Sequence, residues 1–282
     1  MRKSKKKAIE VKVIEISCYV AGAGAFGVFF RWLQDQMAFT EEGLADASAF
    51  NVIVPAFIIL AALYFSHYVD RVRNSRYFLR EDFCLALKNE EKLYTVARWA
   101  AGAIMIAGGA VLLMTCEVEK QAALMRVVAL LAIASGISYP IHLGAANYDE
   151  VDRPRLLCLL SILPVVMYAA WLLLSYKQND INSVVWAYAV EIVAIIAAML
   201  AFFRVAGFAF GNPQPFRCMF ACMFGTSMCI MAMADERNFG LQMILAASAV
   251  MLLLTNWIMI SNLERKAAPS IYAPDDGFER LR

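Results

Sequence analysis

Glu191 makes the strongest demand on its surroundings of any residue in the sequence. It stands in the apolar run from Ser183 to Gly211, where the span is expected from Val184 to Arg204. At a helical rise of about 1.5 Å per residue its carboxyl lies about 10 Å inside a hydrocarbon layer of about 30 Å. A charge at that depth costs a few kcal/mol unless neighbouring helices offer an arginine, a hydroxyl or a wet cavity. Counted from the same face, Arg31 lies about 3 Å deep and Arg126 about 6 Å, so either guanidinium reaches down to pair with the carboxylate. Tyr188, one turn away, supplies a phenol. Ala187, Ala194, Ala198 and Ala201 lie on or beside the Glu191 face and predict a helix contact there rather than lipid. A set of this kind binds an ion or a polar solute, or it is an ion pair that fixes helix register.

A second constellation has helical spacing. Ser135, Ser138, Tyr139 and His142 recur at i, i+3, i+4 and i+7, one polar face with Pro140 inside it. Either the stripe lines a cavity, or the serines bond back to carbonyls one turn earlier and His142 rests in the headgroup region. His67 and His142 are the only histidines and fall toward the same end, the minimum for bis-histidine haem ligation. End-of-span histidines are ordinarily interfacial, so no cofactor is expected. Cys218, Cys222 and Cys229 lie within about 40° on one helix. The methionines near them, Met219, Met223, Met228, Met231 and Met233, scatter around it. A soft-metal ladder needs one face, so polarizable core packing is expected and no metal site. There is no nucleophile motif, metalloprotease signature or phosphate loop, which weighs against an enzyme.

The elements that must position these residues are membrane helices. With 282 residues, 61% of them hydrophobic, 18% charged and a mean hydropathy of +0.59, the chain is too apolar for a soluble domain. Continuous apolar runs of about twenty residues predict an all-α polytopic bundle, and not the ten-residue alternation of a β-barrel. Eight transmembrane helices are expected, near residues 12–33, 49–69, 95–116, 122–145, 155–176, 184–204, 215–235 and 240–263. The five tryptophans, Trp32, Trp99, Trp171, Trp186 and Trp257, fall near span ends, where amphipathic indoles mark the interface.

Charge distribution orients the bundle. Arg2, Lys3, Lys5, Lys6, Lys7 and Lys12 precede the first span, and Arg71, Arg73, Arg76, Arg80, Lys88 and Lys92 follow the second. The opposite loops hold only Lys120, Lys177 and Arg237. By the positive-inside rule both termini are expected in the cytoplasm. The chain then divides into a basic N-terminus 1–11, a transmembrane domain 12–263 and a mobile tail 264–282 rich in Pro and Asp. A cleaved signal peptide is not expected, because the first apolar run continues to Phe30. The cytoplasmic loop 71–93 spaces Leu79, Phe83 and Leu87 four apart, as in a short helix at the interface. No nucleic-acid motif accompanies the basic groups, and no repeat relates the two halves. The expected setting is a cell or cytoplasmic membrane, with the lipid bilayer as the first partner. Two functional classes follow: a carrier or channel for a small molecule or ion built around Glu191, and a non-catalytic membrane subunit or sensor that meets a cytosolic partner through loop 71–93.

Overall fold

A computed structural model describes residues 2–38, 48–75, 77–116, 121–148, 154–179 and 185–265, and all structural statements below concern these. The helices are α1 (Arg2–Met37), α2 (Phe50–Asn74), α3 (Phe83–Leu87), α4 (Lys92–Thr115), α5 (Ala122–Ala145), α6 (Pro154–Gln178), α7 (Val185–Ala209), α8 (Pro215–Met231) and α9 (Phe239–Ser261). All but α3 are long and apolar enough to cross a membrane, giving the eight expected spans. A two-residue antiparallel pairing joins β1 (Tyr77–Phe78) to β2 (Glu264–Arg265). The helix limits follow local chemistry. Pro215 opens α8, where its missing N–H costs nothing. Gly211, at φ 71°, makes the turn before it, a conformation that glycine adopts without strain.

The helices α4 to α9 pack each against the next, and α9 packs back onto α4, closing a six-membered ring. Outside it α1 lies on α8, and α2 lies on both. The spans of α8 and α9 are consequently the most enclosed, with 67% of each apolar window buried against 22% for α2. Small residues permit the two closest seams. A Cβ on Gly102 would stand 2.5 Å from the Gly136 carbonyl oxygen across α4 and α5, and one on Gly240 would stand 2.7 Å from the Leu112 amide nitrogen across α9 and α4. Backbones approach this closely in membranes because dispersion packing replaces the hydrophobic effect between helices. Gly102→Ala is therefore expected to destabilise the protein by about 1–3 kcal/mol. Gly22→Ala, where a Cβ meets nothing within 4 Å, should be neutral or stabilising by up to about 1 kcal/mol. Thermal unfolding in detergent compares the two, and equal midpoints would remove the close-seam account.

Loop 71–93 differs from the expected lipid-facing connector. Between the end of α2 and the start of α4, the described residues are helical only at Phe83–Leu87, capped by Asp82, whose side chain accepts the Leu85 amide at 3.1 Å. Leu79, Phe83, Ala86 and Leu87 are buried, so the apolar face is spent on the bundle itself. Asn262 at the end of α9 fastens it, donating from Nδ2 to the carbonyls of Ala86 and Lys88 at 2.9 Å each. A partner at this loop would meet its charged residues together with the exposed Leu85 and Leu93.

Candidate functional site

The site lies at the end of the bundle opposite the basic termini of α1 and α2. A 3₁₀ turn at Ala232–Ala234 tightens the end of α8, and Asn238 caps α9 by accepting the Gly240 amide at 3.0 Å. Between these two stops the chain has room only for Asp235, Glu236 and Arg237, and the acid and the base at its ends are turned inward. Arg31 of α1 donates from Nε to Asp235 Oδ1 at 2.6 Å. Asp235 Oδ2 accepts from Arg237, and the same Arg237 Nη2 lies 3.7 Å from Glu191 Oε2 of α7. Trp171 of α6 donates from its indole nitrogen to Glu191 Oε1 at 3.1 Å. Arg31, Asp235, Arg237 and Glu191 thus form a ladder of alternating sign that sums to zero, with side chains at most 10% exposed. Each interior charge has opposite neighbours, the condition under which buried ions are tolerated. Gln34 extends the ladder, accepting from Arg31 at 2.6 Å and donating to Asn51 of α2 at 3.0 Å.

Beside the ladder is a cavity of about 310 Å³, lined among others by Tyr188, Glu191, Asp235, Glu236 and Arg237. Arg237 Nη1 is buried and has no protein partner, and the hydroxyl of Ser175 faces Glu191 from the α6 side. The arginine is committed through Nη2, and its enclosed Nη1 is unmet. No family model, curated protein or solved structure matches this chain. Any assignment rests on the geometry alone.

The structure corrects the expected partner of Glu191. Its cation is Arg237, from the loop between α8 and α9, and not Arg126 or Arg31. Arg126 is exposed near the start of α5. Arg31 does turn inward, but toward Asp235, two steps along the ladder. Tyr188 lines the cavity as a half-buried wall. Ala194, Ala198 and Ala201 are fully buried, so the Glu191 face packs on helices. Sequence reasoning missed Asp235, Arg237 and Trp171. Arg237 was visible as one of three basic residues in the opposite loops, where the charge rule disfavours them. Trp171 was read as an interfacial anchor, yet it is fully buried and its indole serves the carboxylate.

The stripe on α5 turns into the bundle. Ser135, Ser138, Tyr139 and His142 are all buried against neighbouring elements. Ser138 bonds back to the Ser135 carbonyl at 3.1 Å, while the Tyr139 phenol crosses to α9, donating to the Met251 carbonyl at 2.7 Å beside Thr255 Oγ1 at 3.1 Å. His67 is exposed on α2, which does not pack on α5, so the two histidines do not converge. Below Glu191, Ser135, Asn256 and His142 each carry a buried polar atom without a protein partner, while Ser175 faces Glu191 and Tyr168 faces Ser248. Native interiors leave few such groups. Counted along their helices, Tyr168 and Ser248 lie about 15 Å from the Glu191 end, Asn256 about 26 Å and His142 about 30 Å. They mark a polar seam through the ring. At its far end the Phe83 ring of α3 sits 5.2 Å from that of His142 and closes it.

Proposed function

We propose that this multi-pass membrane protein is a carrier or channel for a small solute or ion, which it takes first at the cavity beside Glu191 and Arg237. The observation that carries the reading is Arg237, which lines an open cavity while its enclosed Nη1 has no protein partner. A structural ion pair fixing helix register would use both nitrogens or bury neither. A free guanidinium nitrogen in a partly desolvated site recognises an acceptor, such as a small carboxylate, through a charge-assisted bond. The cavity volume suits a metabolite of few heavy atoms. The polar seam supports onward movement, since groups the protein leaves unsatisfied remain available to water or to a passing solute.

The test is a panel of small carboxylates and inorganic anions applied to proteoliposomes on a solid-supported membrane. At least one compound is expected to give a saturable current. Arg237→Lys, which keeps the charge and removes the second nitrogen, should weaken its apparent affinity by about tenfold. Glu191→Gln keeps an acceptor for Trp171 and should leave folding intact while abolishing the current. Wild-type currents no larger than those of Glu191→Gln across the panel would overturn the proposal.

A further inference from the structure

At the basic end of the bundle, far from the Glu191 ladder, a cavity of about 510 Å³ opens between α1, α2, β1 and the end of α9. Its polar lining includes Glu15, Tyr19, Tyr64, Tyr68, Arg71 and Tyr77. Four tyrosines converge on one cavity from three segments of the chain. The Tyr19 and Tyr64 rings meet edge to face at 6.1 Å, and the Tyr19 phenol donates to Glu15 Oε1 at 3.2 Å. Ile260 and Leu263 form the apolar side.

Two opposite charges share this space without pairing. Among the described residues the Arg71 guanidinium meets no carboxylate within 4 Å, and Glu15 bonds only the Tyr19 phenol. The ring contact between Tyr19 and Tyr64 fixes the levels of the antiparallel helices α1 and α2. From that level Glu15 is four residues, about 6 Å, toward the basic end, and Arg71 is seven residues, about 10 Å. Along the helices the acid therefore sits about 4 Å nearer the middle of the bundle than the base. Aromatic faces around a carboxylate form a receptor for an ammonium group, attracted by the ring quadrupoles and the negative charge together. A guanidinium farther toward the basic end then takes an acidic group on the same molecule. An acyl chain wedged in the seam would find no use for Glu15, and a simple anion would meet Glu15 as a repulsion.

We propose that this cavity binds an ammonium zwitterion head first, the cation within the tyrosines against Glu15 and the phosphate or carboxylate at Arg71. The same chemistry is offered by a soluble phospho-amine and by a zwitterionic phospholipid headgroup. The depth order, ammonium inside and acid outside, favours the soluble compound, because a bilayer lipid holds its phosphate on the chain side of its amine.

The test uses the full-length protein in a sugar-headgroup detergent. Isothermal titration measures phosphocholine, tetramethylammonium and inorganic phosphate, and native mass spectrometry compares retained phosphatidylcholine with phosphatidylglycerol. Phosphocholine is expected to bind saturably at one site, with tetramethylammonium weaker and phosphate silent. Glu15→Gln and Tyr64→Ala should each weaken phosphocholine by about tenfold. Arg71→Ala should bring phosphocholine down to the affinity of tetramethylammonium and leave tetramethylammonium unchanged. These side chains are partly exposed, so the variants should elute and melt like the wild type, and a Glu15→Gln protein that does so remains decisive if another variant does not. Retention of phosphatidylcholine without binding of free phosphocholine assigns the site to the lipid headgroup. Wild-type protein that takes neither form, or Glu15→Gln protein that binds phosphocholine as the wild type does, overturns the proposal.

Discussion

Arg237→Met is expected to cost about 3–5 kcal/mol of stability, because it leaves the buried Glu191 without a cation. Asp235 keeps Arg31, at 2.6 Å, but Glu191 keeps only neutral donors, the Trp171 indole at 3.1 Å and the Ser175 hydroxyl. A carboxylate buried with neutral donors alone retains most of its desolvation penalty. Glu191→Gln alone should cost less, about 1–2 kcal/mol, since the amide oxygen still accepts from Trp171 while Arg237 keeps Asp235. The informative protein is the double variant. With Arg237→Met and Glu191→Gln combined, the remaining pair is Arg31 with Asp235, again neutral and bonded, so the loss should fall short of the sum by more than about 1 kcal/mol. Denaturation in mixed micelles followed by tryptophan fluorescence measures all four corners of the cycle. Additive losses would mean that Arg237 and Glu191, 3.7 Å apart, do not sense each other as charges.

The ladder also shows where sequence reading carried and where it stopped. The eight spans were legible because each is a long apolar run between polar punctuation, and a bilayer leaves the backbone little choice but helix. Glu191 was legible as a group in need of a cation because its depth follows from its position in such a run. Its partner was not, since depth along a helix says nothing about which helices are neighbours in the bundle. Arg31 and Arg126 satisfied the depth condition and Arg237, assigned to a loop, was passed over. The 3₁₀ turn after α8 folds Asp235 back toward the bundle, and Asn238 restarts the helix at once. The inward direction of the Ser135 to His142 stripe was undetermined for the same reason. One polar face on an apolar helix is equally compatible with the interior or the headgroups until the ring of α4 to α9 is closed.

That ring makes the last expectation an unusual one. Asn256 is wholly enclosed on α9, and neither its amide nitrogen nor its oxygen has a protein partner. A group that packing alone had selected would be apolar here, because each unmet amide atom gives up its bond to water and gains nothing in exchange. Asn256→Leu, close in volume, should therefore raise stability by about 1–3 kcal/mol. If the seam carries solute or water between the Glu191 cavity and His142, the same substitution should lower the reconstituted current by at least about tenfold, because it removes one of the seam's few polar stations near its far end. Gain of stability with loss of flux is the pattern of a residue kept for function at the expense of the fold. The two readouts separate the alternatives: a more stable protein with undiminished current would make the seam irrelevant to passage. A less stable one would show that Asn256 is bonded in the folded protein and that the polar interior is structural.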